Sequence, residues 1–137
     1  MYVDQDRQEY REQALESGSP AYAYCRAGRY NTGMELIDIG ANLGHDSFDH
    51  DLDAVLERAR AAGIVQMMVT GASREGSEKA LSLAKAHPGF LYATAGVHPH
   101  HAVELTAEGE QQLRMLQGNP EVLAVGECGL DYYRDYC

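Results

Sequence analysis

The sequence predicts an α/β fold built on a parallel sheet, and three observations predict it. Four apolar runs begin near Glu35, Ile64, Phe90 and Val122. Segments with helical spacing of apolar residues separate them. The resulting repeat of about 30 residues is that of the βαβ unit, in which a helix carries the chain back to start a parallel strand.

Each element has its own signal. ELIDIGANL, from Glu35, reads as a buried strand, because its apolar residues run almost without the alternation of a half-exposed one. Ser47 is then the expected N-cap of a first helix with Leu52, Val55, Leu56 and Ala59 on one face, stopped at Gly63. IVQMMVTG, from Ile64, is the second strand. Ser73 caps a second helix carrying Ala80, Leu81 and Ala84, which Pro88 and Gly89 end. FLYATAGV, from Phe90, is the third strand. Thr106 opens a third helix through Leu113 and Leu116, closed by Gly118, Asn119 and Pro120, and VLAVGE, from Val122, is the fourth strand. Two architectures carry such a repeat: an open doubly wound sheet, or the first half of an eight-stranded barrel.

Residues 1–33 lack this pattern. They hold SGSP, AGRYNTG and five of the nine tyrosines, and they read as a mobile leader outside the fold. Met34 is a candidate biological start, which would make the leader non-native. The first dozen residues are charged where a signal peptide is apolar, and no apolar run is long enough to span a membrane, so the default location is cytoplasmic. After the fourth strand only LDYYRDYC remains, with no covering helix. A sheet stopped there exposes an apolar face and an open edge, so a fragment, or a chain that pairs through that edge with itself or another protein, is expected.

Charge narrows the function. Against 11 basic residues the 137-residue chain carries 21 acidic ones, for a net charge of −10, and 7 basic and 16 acidic residues fall in residues 34–137. Such a surface repels polyphosphates, which disfavours sequence-independent coating of DNA. Cys25, Cys128 and Cys137 are odd in number and lack C-x-x-C spacing, so neither a disulfide framework nor a zinc ribbon is indicated. TGASREGS lacks the Gly-Lys-Ser/Thr ending of a phosphate-binding loop, and no G-x-S-x-G elbow is present.

Parallel α/β folds gather ligands at the carboxyl ends of their strands. There the sequence places Asp38 and Asn42, then Thr70 and Ser73, then His98, His100 and His101, then Glu127 and Asp131. Imidazoles and carboxylates at one end of a sheet suit a divalent metal. Glu127 is the strongest candidate, since a carboxylate ending a buried strand costs several kcal/mol to desolvate unless a donor or cation meets it. Asp38 lies inside an apolar run and needs either a donor or a metal, His98 is as plausible a structural residue as a functional one, and Asp131 can simply start a turn.

The motifs DIGANL, VTG, TAGVHPH and above all VGECGLDYYRDY resemble the TatD family of metal-dependent deoxyribonucleases over residues 34–137. The resemblance implies the first half of a TIM-like (β/α)8 barrel of the metal-dependent hydrolase type, truncated after strand four. It implies phosphodiester hydrolysis in DNA, from the 3′ end of a single strand, with one or two divalent ions: magnesium first, manganese or zinc as alternatives. Carried over by position, Glu127 is a metal ligand and His98 a catalytic residue on the substrate side; Asp38, Asn42, His100 and Asp131, from their places at the strand ends rather than from the resemblance, are candidates to line the site. An ion held by Glu127 would polarise a phosphoryl oxygen and lower the pKa of a bound water. Many relatives carry H-x-H on the first strand; here those positions are Asp38 and Gly40. With a single family ligand present, the isolated chain is expected to be weakly active or inactive. The competing readings are a non-catalytic module that pairs through its open sheet edge, and a related hydrolase of cyclic amides or phosphotriesters.

Overall fold

The computed structural model describes residues 35–134. The leader, the candidate start at Met34, Cys25 and Cys137 lie outside the described residues. Four strands, β1 (Leu36–Ala41), β2 (Ile64–Val69), β3 (Leu91–Ala95) and β4 (Val122–Val125), alternate with three helices, α1 (Leu52–Ala61), α2 (Arg74–Ala86) and α3 (Ala107–Gln117). Short 3-10 turns at Asp46–Phe48 and Pro99–Glu104 follow β1 and β3.

All neighbouring strands are parallel and their spatial order is β1-β2-β3-β4. That order decides between the two architectures the repeat allowed. A doubly wound sheet reverses direction at a switch point, whereas here each strand is added on the same side of the last, as in a barrel wall. The core lies where Met67 and Val69 of β2 and Leu91 and Ala93 of β3 meet Leu56 of α1 and Ala80 and Ala84 of α2. Small alanines let α2 approach the sheet closely, and Leu56, fully buried, contributes about 2 kcal/mol by leaving water.

The caps of α2 and α3 follow the sequence. Ser73 Oγ accepts the Gly76 N–H at 3.0 Å and Thr106 Oγ1 accepts that of Gly109 at 3.1 Å, each satisfying an orphan donor of the first turn. The helix α1 does not start as expected. Its N-cap is Asp51, with no side-chain capping bond, while Ser47 sits inside the short 3-10 turn and bonds to His45. An extra turn after β1 delays the helix by a few residues, and Lys79 of α2 fastens that turn through Asp46 (3.2 Å) and Asp49 (3.0 Å). Gly63, at φ +95°, makes the sharp exit from α1 into β2 that a side chain would resist.

The expectation that every strand is buried fails at both edges. Ile37 and Ile39 of β1 are 58% and 78% exposed, and Leu123 and Val125 of β4 are exposed as well. The reason is topological: among the described residues β2 and β3 each have two strand neighbours, whereas β1 and β4 have one.

Candidate functional site

Beyond the ends of β2, β3 and β4 the backbone continues as a cross-linked layer. The Val97 N–H donates to the Glu127 carbonyl at 2.7 Å, the Glu127 N–H to the Gly71 carbonyl at 2.8 Å, and the His98 N–H to the Ala72 carbonyl at 2.8 Å. Close approach requires glycine. A Cβ on Gly96 would collide with the Glu127 carbonyl, and one on Gly71 with the Thr94 carbonyl and Ser77 Oγ. Two buried hydroxyls tie this layer to the sheet: Thr94 Oγ1 accepts the Gly71 N–H at 3.0 Å, and Ser77 Oγ accepts the Gly96 N–H at 3.2 Å while donating to the Ser73 carbonyl at 2.7 Å. Thr94 carries no signal in the sequence beyond interrupting an apolar run, and Ser77, between Gly76 and Glu78, carries none.

On this layer sit His98 and Glu127, the imidazole Nε2 lying 3.5 Å from Oε1. His98 caps the Pro99–Glu104 turn, its Nδ1 accepting the His100 N–H at 3.0 Å. With Nδ1 committed as an acceptor, the neutral ring carries its proton on Nε2, the nitrogen facing Glu127. The carboxylate is wetter than the sequence implied: its side chain keeps 42% exposure, because β4 is an edge strand. Glu127 and Cys128 also border a groove of about 530 Å³ whose other walls include Ala95, Leu113, Val125 and Leu130.

A second pair stands beside the first. His100 Nε2 is 2.7 Å from Asp131 Oδ2, and the His98 and His100 rings meet edge to face with centroids 4.4 Å apart. Asp131 does start a turn, as Oδ1 accepts the N–H groups of Tyr133 at 2.9 Å and Arg134 at 3.0 Å. The Arg134 amide foremost, joined by His100 and the Tyr133 amide, holds its carboxyl below the usual aspartate value, although burial opposes them more than the hydrogen bond from either His100 or the Tyr133 amide alone helps. Arg134 Nη1 lies 3.5 Å from His100 Nε2. Sequence alone names His100 and Asp131 but not their pairing, which joins residues 31 apart.

Asp38 lies in the middle of β1 rather than at its carboxyl end, and both it and Asn42 make local contacts. Asp38 is half-buried and its Oδ1 accepts the Gly40 N–H at 3.0 Å, the donor its place in an apolar run calls for. Asn42 is exposed, and its carbonyl accepts the His45 N–H. Among the described residues no group of three His, Cys, Asp or Glu side chains comes together that could hold a metal ion. One carboxylate beside one imidazole is fewer donors than zinc or calcium takes from protein; magnesium, which takes one or two carboxylates and keeps several waters, would draw its further oxygens from water, substrate or residues outside the described ones.

A parallel βα repeat with sequential strand order, carrying imidazole and carboxylate groups at the carboxyl ends of adjacent strands, has the form of a hydrolase barrel wall. Comparison with known proteins specifies it. The family described as TatD related DNase matches residues 37–136, and the chain belongs to that family. A protein of Erwinia tasmaniensis named 3′-5′ ssDNA/RNA exonuclease TatD is 48% identical over 101 residues, covering 74% of this chain and 39% of the relative. The protein of that name from Erwinia amylovora is 50% identical with the same coverage. Among solved structures, a TatD family hydrolase from Entamoeba histolytica superposes with a TM-score of 0.67 at 31% identity, over 74% of this chain and 39% of the other. The chain thus spans about two fifths of the length of the relatives it matches, and its four strands are the first half of their TIM-like barrel. No helix among the described residues is long and apolar enough to cross a membrane.

Proposed function

We propose that this chain forms the N-terminal half of a metal-dependent phosphodiesterase that removes nucleotides from the 3′ end of single-stranded DNA. The observation that carries the reading is the pairing of His98 Nε2 with Glu127 Oε1 at 3.5 Å across the ends of β3 and β4. The names of the relatives support nucleic acid as the substrate class. In this reading Glu127 is one ligand of a divalent ion, magnesium first, whose other donors lie outside residues 35–134. His98 is the catalytic residue on the substrate side: its Nε2–H can turn from Glu127 to a phosphoryl oxygen, and the His100 N–H keeps Nδ1 from competing for that proton. His100 and Asp131 line the site and hold its outer wall. Asn42, just past the end of β1, and Asp38, within it, line the β1 side.

The test is a chimera in which residues 37–136 replace the matching segment of the Erwinia amylovora relative. The expected result is magnesium-dependent shortening of a 5′-labelled single strand from its 3′ end. Glu127→Gln should lower the rate at least about a hundredfold, since even outer-shell changes at metal sites cost 10–100-fold. A folded chimera without activity overturns the reading. The 137-residue chain by itself is expected to be weakly active or inactive.

A further inference from the structure

We infer that Asp131 is a positioning residue for His98, acting through His100; the inference rests on the nuclease reading above and names what keeps its imidazole in the working tautomer. The orientation of His98 is set at Nδ1 by a backbone donor in a weak piece of structure. That nitrogen accepts the His100 N–H at 3.0 Å, and the amide belongs to the Pro99–Glu104 turn, whose 3-10 bonds have poorer geometry than those of an α-helix. If the turn drifts, Nδ1 loses its donor, and the ring can carry its proton on either nitrogen. The Nε2–H that faces Glu127 at 3.5 Å then loses its fixed place.

The side chain of His100 pins that turn to the loop after β4. An ionised carboxylate only accepts, so at 2.7 Å Asp131 Oδ2 accepts the Nε2–H of His100. Arg134 Nη1, 3.5 Å from the same nitrogen, is itself a donor and does not compete for that proton. Asp131 is anchored in its own turn, where Oδ1 accepts the N–H groups of Tyr133 and Arg134. One loop thus presents a fixed acceptor and the other docks on it, with Pro99 packed beside the pair, its Cγ 3.1 Å from where a Cβ on Gly129 would stand. Fixed in this way, the His100 ring also meets the His98 ring edge to face, with centroids 4.4 Å apart. The two paired side chains are only 26% and 18% exposed, so water competes with the contact less than at an open surface pair. Every member lies within residues 98–134, so the described residues hold the whole relay from Asp131 to His98.

The experiment follows the ring-nitrogen resonances of His98 by NMR in the histidine-labelled 137-residue chain, without metal, at about pH 8.5, where an ordinary imidazole is neutral. Wild type should show two widely separated resonances with the proton on Nε2. In Asp131→Ala they should converge toward the average of two exchanging tautomers, at unchanged circular dichroism. Should Asp131→Ala not fold, His100→Ala, which removes the same link and leaves Asp131 to its turn, is read for the same convergence. The chimera described above adds the rate. There Asp131→Ala should lower kcat about 10- to 100-fold with KM within about threefold, as misplacement of a catalytic group does. In the His98→Gln background the same change should cost less than about twofold, because a residue that acts through His98 has nothing left to act on. A wild-type proton on Nδ1, His98 resonances that do not respond, or an equal loss of kcat with and without His98 overturns the positioning role. The resonances are read without turnover, so an inactive chimera rejects the nuclease reading, while an active chimera with an unresponsive His98 rejects the positioning role alone.

Discussion

The carbonyl of Glu127 lies against Gly96, so close that no Cβ fits between them. The neighbouring Val97 N–H donates to that carbonyl at 2.7 Å, which makes this contact the seam between the ends of β3 and β4. Gly96→Ala must push the two strand ends apart. We expect a loss of about 1–3 kcal/mol, the usual cost of overpacking, read as a lower urea midpoint at unchanged slope.

Ser77 secures the same seam from the helix side. Its hydroxyl is buried, accepts the Gly96 N–H at 3.2 Å and donates to the Ser73 carbonyl at 2.7 Å. Ser77→Ala removes the acceptor and leaves the Gly96 N–H in dry surroundings. The expected cost is about 1–3 kcal/mol by urea denaturation.

Two serines test where the helices begin. Ser73→Ala should cost about 1 kcal/mol, the ordinary value of an N-cap, because Oγ holds the Gly76 N–H. Ser47→Ala, at the position the sequence marks as a cap, should cost less than about 0.5 kcal/mol, since its hydroxyl reaches only His45 on an exposed turn. Equal costs measured by thermal or urea unfolding would contradict the observed start of α1 at Leu52.

The contrast between those serines shows how much was legible. Ser73 sits directly between an apolar run and a helical pattern, so local chemistry fixes its role. Ser47 has the same chemistry, but Lys79, more than thirty residues away, fixes an extra turn there through Asp46 and Asp49. The order of elements could be read because apolar periodicity is local. That a sheet stopped after β4 exposes an apolar face could also be read; that Ile39 and Val125 are among the residues bearing it could not, because it depends on which strands end up at the edges. At the site, GVHPH and GECGLD pointed to His98 and Glu127. The His100 to Asp131 contact was hidden because nothing in one loop announces which residue of another it will meet.

Asp131 gives the fold an acid-sensitive catch. Its carboxyl is held below the ordinary aspartate value by the Arg134 amide first, then by His100 and the Tyr133 amide. A group that binds its proton less tightly when folded than when unfolded stabilises the fold above the unfolded value. That stabilisation disappears as pH falls through the lower folded value. The window therefore opens at about pH 4 and lies below it. Wild type and Asp131→Asn should differ in urea midpoint at neutral pH and converge as acid is added through that window. A gap that persists below pH of about 2 would mean the side chain acts by shape rather than charge.

The donor count at Glu127 makes the last prediction. Magnesium takes one or two carboxylates and completes its shell with water and substrate oxygens, so a site with a single carboxylate and no substrate is weak, and here one carboxylate faces one imidazole at 3.5 Å while Asp38 is engaged with Gly40. No third His, Cys, Asp or Glu side chain among the described residues completes the set. Calorimetry of the 137-residue chain should therefore show no magnesium binding tighter than about millimolar, the range of weak sites with few charged ligands. The chimera with the relative's remaining segment should bind magnesium measurably, and lose that binding on Glu127→Gln. Tight magnesium binding by the chain alone, unaffected by Glu127→Gln, would mean that the ion is held elsewhere and that Glu127 is not its ligand.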